Sequence, residues 1–367
     1  MNLNNLLNNQ NINIKQLVKN VHKRSLIWQN TIRKPVPRFS SPEMQMARKM
    51  NKIAIHDDYC IRSRNFKKEL MNNDDFVRLI STDVEASYKR AFWINPKDNK
   101  GYHLLDEGRT KDGLQKLRIL NEQGCFIKNT EVKPITVLLA DTHANSEFIS
   151  SLDGNNLNHS DLINIFARRY NPFAKYQNLK CPKNKCEINK FYDNINKKSA
   201  KDTTFVSVSS GTLVDIPNTF SAKKIKKIIP ELLTNIDPLY KLEIMNIKSI
   251  PSQVRLLYSS GNEGANKMNA FIALNRVEGV GGLNLLHKVH SKSSAKNSLF
   301  TKHYENTEFF ATKTSDGINI TGLHGTDYPN KSFGDVGKRL VYILGTSFST
   351  PIRAAKLALN EMMKDIL

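Results

Sequence analysis

The stretch "PITVLLAD", residues 134–141, decides the reading of the fold. It is short and strongly apolar, as a strand covered on both faces must be, and it ends on a carboxylate. "SDLINIFARRY" (160–170) follows and reads as a helix. The alternation continues. "TTFVSVSSG" (203–211) is a strand, "SAKKIKKIIPELLTNIDPLYKLEIM" (221–245) carries helical signals, and "VRLLYSSGN" (254–262) is another apolar strand. The chain closes with "VYILGTSFSTPIRAAKLALNEMMKDIL" (341–367), a strand at Val341–Leu344 and then a helix. Strands alternating with helices predict an α/β fold of three layers, a mainly parallel central sheet with helices on both faces. In such sheets ligands bind outside the carboxyl ends of the strands. The polar residues there are Asp141, Ser209-Ser210-Gly211, Gly261-Asn262 and Gly345-Thr346-Ser347.

Three segments are expected. Residues 1–45, rich in Asn, Lys and Arg and ending in "RKPVPRFSSPE", read as a basic arm or linker. Residues 46–130 read as a separate, mostly helical N-terminal region. Its best helix is "NNDDFVRLISTDVEASYKRAFW" (72–93), with Phe76, Leu79, Ile80, Val84 and Tyr88 on one face. Residues 131–367 hold the α/β domain.

Lys and Arg exceed Asp and Glu by 55 − 34, a net charge of +21. That charge admits nucleic acid or another anionic surface as a partner, but no long basic tail or aromatic-basic repeat specifies one. No apolar run is long enough for a membrane span, and the N-terminus has no apolar signal-peptide core, so a cytoplasmic location or a specialised export route is expected. Four scattered cysteines (Cys60, Cys125, Cys181 and Cys186) do not make a disulfide framework and read as free thiols. The sequence leaves the oligomeric state open.

The ending "GTSFSTP" (345–351) carries the chemistry. Thr350 is a candidate helix cap and Pro351 suits a first helical turn, which puts Ser347 on the bend between strand and helix. There its hydroxyl stands near amide N–H groups that the helix leaves unpaired. Asp141, at the end of a buried strand, needs a partner, and an imidazole is a suitable one. His159, just before a helix, is the candidate, with His143 and His324 as alternatives. Asn262 can donate to a developing oxyanion. Serine, histidine, aspartate and asparagine in these roles constitute acyl-transfer machinery.

Residues 131–367 resemble the subtilisin-like serine proteases, the subtilases. "GTSFSTP" matches that family's nucleophile motif, and "SSGNEG" (259–264) is similar to its oxyanion-asparagine segment. "VSVSSG" (206–211) resembles its substrate-binding strand, and "VEGVGG" (277–282) the far wall of its primary pocket. The order Asp, His, Asn, Ser also agrees. The chain departs at Asp141-Thr142-His143, where the family has Gly third, and at His159-Ser160, where it has His-Gly-Thr. A literal His-Gly-Thr stands at His324, out of family order.

The resemblance implies a serine endopeptidase with Asp141, His159, Ser347 and Asn262 at its centre, and a propeptide or recognition domain in residues 46–130. Its protein or peptide substrate would lie along Ser209, Ser210, Gly211, Ser259, Ser260 and Gly261. Many relatives bind calcium, but "DGNNLNHSD" (153–161) fits no defensible calcium loop, so no cofactor or metal is assigned. The rival reading is a catalytically inactive binding module on the same scaffold, using its basic surface for anionic partners.

Overall fold

The structure, a computed structural model, describes residues 76–77, 90–121, 125–141, 147–149, 157–199, 202–215, 220–264, 267–284, 288–289, 300–314, 317–321 and 340–367. The arm 1–45, His143 and His324 lie outside these residues, as do most of helix 72–93 and the first part of the 153–161 loop.

The described part of the N-terminal region corrects the helical expectation. Strands β1 (Arg90–Ile94), β2 (Gly101–Arg109), β3 (Gln115–Asn121) and β4 (Phe126–Val132) form an antiparallel four-stranded sheet. Phe76–Val77, placed on the helix by the sequence, is also a short strand. The physical reason is visible in "RAFWI" (90–94), four consecutive apolar residues that fit either period. Ala91 and Trp93 are buried, whereas Phe92 and Ile94 are 46% and 58% exposed, the alternation of a pleated strand. The buried face packs on the C-terminal helix through Trp93, Leu104 and Leu117 against Leu359, Met362 and Met363. Trp93 Nε1 donates to Asn360 Oδ1 at 2.8 Å, which satisfies the one polar group of a buried indole.

The α/β domain then runs β5 (Thr136–Asp141), α1 (His159–Tyr170), β6 (Lys175–Lys180), α2 (Lys185–Ser199), β7 (Thr204–Val208), β8 (Leu213–Asp215), α3 (Ala222–Ile236), α4 (Leu239–Ser249) and β9 (Val254–Ser259). After it come β10 (Lys267–Asn269), a 3₁₀ turn (Ala270–Ala273), β11 (Val277–Leu283), β12 (Thr301–Asn306), β13 (Glu308–Thr314), β14 (Gly317–Thr321), β15 (Leu340–Leu344) and α5 (Thr346–Met363). The central sheet has the order β12-β11-β9-β7-β5-β6, and every neighbouring pair is parallel. Both faces are covered. Val137 and Leu139 of β5 pack with α1 and α5, while Leu138 and Ala140 face the layer of α2, α3 and α4. The period of two thus feeds two cores from one strand.

Two further corrections concern the chain's end. β15 pairs antiparallel with β13 in a separate sheet, so it is no member of the parallel sheet. The helix begins at Thr346 and not beyond Thr350. Thr350 therefore lies inside it, where its hydroxyl donates to Thr346 O at 2.8 Å. Among the described residues no helix is long and apolar enough to cross a membrane.

Candidate active site

All six central strands run the same way, so their carboxyl ends gather along one edge. Asp141 is the last residue of β5 and is 2% exposed. A carboxylate this deep needs donors. His159, the first residue of α1, sets its Nδ1 2.9 Å from Asp141 Oδ2. Ser160 Oγ donates to the same oxygen at 2.8 Å. The other ring nitrogen, His159 Nε2, is 3.0 Å from Ser347 Oγ. The ring of Phe348 lies 4.9 Å from the imidazole and buttresses it.

Ser347 is half-buried in the first turn of α5. Pro351 explains how that turn is tied down. With no N–H, the proline leaves the carbonyl of Ser347, four residues earlier, without its helical donor. Ser209 Oγ supplies the missing bond at 2.8 Å. The residue that follows β7 is thereby fixed against the residue bearing the hydroxyl.

Asn262 is exposed, while its side-chain oxygen is held. Oδ1 accepts from Thr346 N at 2.7 Å and from Thr346 Oγ1 at 3.0 Å, and Gly261 N donates to Thr346 Oγ1 at 3.2 Å. These bonds orient the amide. A Cβ at Gly345 would lie 3.0 Å from Ser347 Oγ and 3.5 Å from Asn262 Nδ2. The hydroxyl and the amide nitrogen therefore border one small space, which glycine keeps open.

The structure brings Asp141, His159, Ser347 and Asn262 to this edge. It also brings the segments 209–211 and 259–261 alongside, since β7 and β9 are paired up to Val208↔Tyr258. Gly279, Gly281 and Gly282 pack closely against Phe300, Tyr304 and Thr307, and the side chain that reaches Gly211 is Asn269. Sequence reasoning missed Asn269 altogether, and it treated Ser160 only as a replaced glycine. Among the described residues no cluster of three or more His, Cys, Asp or Glu is arranged to hold a metal ion.

The thiols correct one expectation and fill in another. Cys181 and Cys186 are free, but Cys125 is disulfide-bonded. Burial pushes the Cys181 thiol up to about 12, and Ser210 Oγ donates to its sulfur at 3.2 Å. It is an inert neighbour of the site and no rival nucleophile.

Neither a protein-family description nor a curated protein sequence matches the chain. Among solved structures it overlaps the prenylagaramide maturation protease PagA with 17% identity and a TM-score of 0.35, covering 62% of this chain and 76% of that one. The self-cleaved protease domain of PatA overlaps with 14% identity and a TM-score of 0.35, over 63% of this chain and 81% of that one. A point mutant of the PatA protease domain gives 14% and 0.31, over 63% and 74%. Overlaps this loose carry no argument about activity.

Proposed function

We propose that the chain is a subtilisin-like serine endopeptidase acting through Ser347, His159, Asp141 and Asn262. The observation that carries this reading is the continuous relay from Asp141 Oδ2 to His159 Nδ1 at 2.9 Å and from His159 Nε2 to Ser347 Oγ at 3.0 Å.

With Asp141 accepting the Nδ1 proton, Nε2 carries the lone pair and can take the proton of Ser347 as Oγ attacks a peptide carbonyl. The imidazolium so formed is stabilised by the adjacent carboxylate, which the Ser160 hydroxyl helps to keep in place. The oxyanion is received by Asn262 Nδ2 and the Ser347 amide. In the first turn of α5, Thr346 N is bonded to Asn262 Oδ1 and Phe348 N to Gly345 O. That leaves the amide between them to meet the developing charge at the positive end of the helix. The imidazolium then protonates the leaving amine, and water, deprotonated by the same base, releases the acyl group.

The substrate is a protein or peptide. It lies extended between residues 209–211 and 259–261, with backbone groups pairing to these segments. The experiment is digestion of an unfolded polypeptide, with new amino termini identified by sequencing. Wild type should generate them and Ser347→Ala should not; equal digestion by both would overturn the assignment.

A further inference from the structure

Beyond Val208↔Tyr258 the chains leaving β7 and β9 continue as Ser209-Ser210-Gly211 and Ser259-Ser260-Gly261, and one side chain lies between them. Asn269, the last residue of β10, is 1% exposed. Its Nδ2 donates to Ser259 O at 2.8 Å and to Ser210 O at 3.1 Å, so a single amide braces both segments. Its Oδ1 accepts from Phe271 N at 3.1 Å, and its main-chain N donates to Ser260 O at 2.9 Å. Both amide hydrogens and one oxygen lone pair are therefore used. Swinging the side chain aside would take these bonds from the buried Ser259 carbonyl, the half-buried Ser210 carbonyl and the buried Phe271 N–H, a loss that folded proteins avoid.

The amide also fills space. A Cβ placed on Gly211 would fall 2.0 Å from Asn269 Nδ2 and 2.3 Å from both Cγ and Oδ1. No side chain fits at residue 211, and the volume under it is already occupied.

We infer that Asn269 forms the floor of the slot that receives the substrate side chain on the acyl side of the scissile bond, and that the enzyme accordingly cleaves after small residues: Gly, Ala or Ser. This rests on the proposed protease reading. The attacked carbon must come to Ser347 Oγ with its oxygen towards Asn262 Nδ2. Ser209 is bonded to the Ser347 carbonyl on one side, and Gly261 to Thr346 on the other. The residue contributing that carbonyl sits over the gap between the two segments, and its side chain enters the gap. A methyl or hydroxymethyl stops short of the amide. A leucyl or phenylalanyl side chain has to displace it, losing the three bonds just described.

The test is a peptide series identical except at the acyl-side residue, Ala, Leu or Phe, assayed for kcat/KM. The same preparations are titrated with a small fluorophosphonate to count competent Ser347. Wild type should prefer Ala over Phe by about 10²-fold, the scale on which a filled pocket discriminates. Asn269→Ala should raise the Phe-to-Ala ratio tenfold or more, a ratio independent of how much of the variant folds. Wild type that cleaves after Phe or Leu as readily as after Ala overturns the inference, whether or not the variant folds. So does an Asn269→Ala variant that keeps the wild-type ratio. Labelling of Ser347 without discrimination leaves the protease reading intact and removes only this inference. Failure both to label Ser347 and to cleave any peptide removes both.

Discussion

Two carboxylate–imidazole pairs involve described residues of the central sheet, one towards each edge, and only the first also reaches a serine hydroxyl. At the carboxyl edge, Asp141 meets His159 at 2.9 Å with side chains 3% and 6% exposed. Towards the amino edge, Glu278 of β11 meets His303 of β12 at 2.7 Å with side chains 15% and 16% exposed. The second pair is shorter, yet its company differs. Arg255 grips Glu278 through two bonds of 2.7 and 2.8 Å. Burial raises the Glu278 carboxyl, but the bonds from His303 and Arg255 outweigh it and hold the group at about 2. This is an ion cluster joining three strands. At the other edge the imidazole's second nitrogen reaches a serine hydroxyl at the start of a helix. The third partner and the strand direction distinguish the two pairs; acid–histidine distance does not.

The largest expected effects come from breaking the carboxyl-edge pair. Ser347→Ala and His159→Ala should each lower kcat/KM on a cleavable peptide by roughly 10⁴-fold or more, with the two losses far from additive in the double variant. Asn262→Ala should lower kcat by about 10²–10³-fold, the scale for removing one oxyanion donor. An unchanged kcat would detach Asn262 from the mechanism.

The second helical layer offers a carboxylate set among phenols, which sharpens the contrast in stability. Burial raises Glu243 of α4 to about 7, and the Tyr192 hydroxyl donates to it at 3.4 Å. A folded pKa above the unfolded value means that the unfolded chain loses this proton first. Stability should therefore fall as pH rises from about 4.5 to about 7 and then level off. Glu243→Gln should be more stable than wild type at pH 8 by roughly 1–3 kcal/mol in denaturant titration, and nearly equal to it at pH 4. A variant no more stable at pH 8 would show that the carboxyl is not desolvated.

The smallest effect belongs to the amino-edge pair. His303→Ala should leave peptidase kcat/KM within about twofold and cost under about 1 kcal/mol at neutral pH, the range of partly exposed ion pairs. For Glu278 the sign runs the other way. Its depressed pKa gives stability that is present above its unfolded value and lost as pH falls towards about 2.

Much of this arrangement was legible in the sequence because local rules agreed with the fold. "PITVLLAD" is apolar at every inward position of both faces, so its strand and the burial of Asp141 follow without tertiary information. His159, Ser347 and Asn262 were placed by strand ends and helix starts, which survive transfer into the folded chain. The failures share one cause. In "RAFWI" consecutive apolar residues carry no period, and the partner that decides, the Leu359–Met363 face of α5, lies far along the chain. β15 is apolar like the central strands, but which sheet it joins depends on pairing with β13, a non-local choice. Asn269 gave no signal, because an asparagine before "AFIA" is an ordinary turn residue until two distant carbonyls meet its amide.

The most direct measurement is intact-mass and peptide-mapping analysis after exposure to a fluorophosphonate. The wild-type chain should gain one adduct, on Ser347, at a rate that collapses in His159→Ala and is untouched in His303→Ala. An adduct on another serine, or equal labelling rates in wild type and His159→Ala, would contradict the claim that the carboxyl-edge relay activates Ser347.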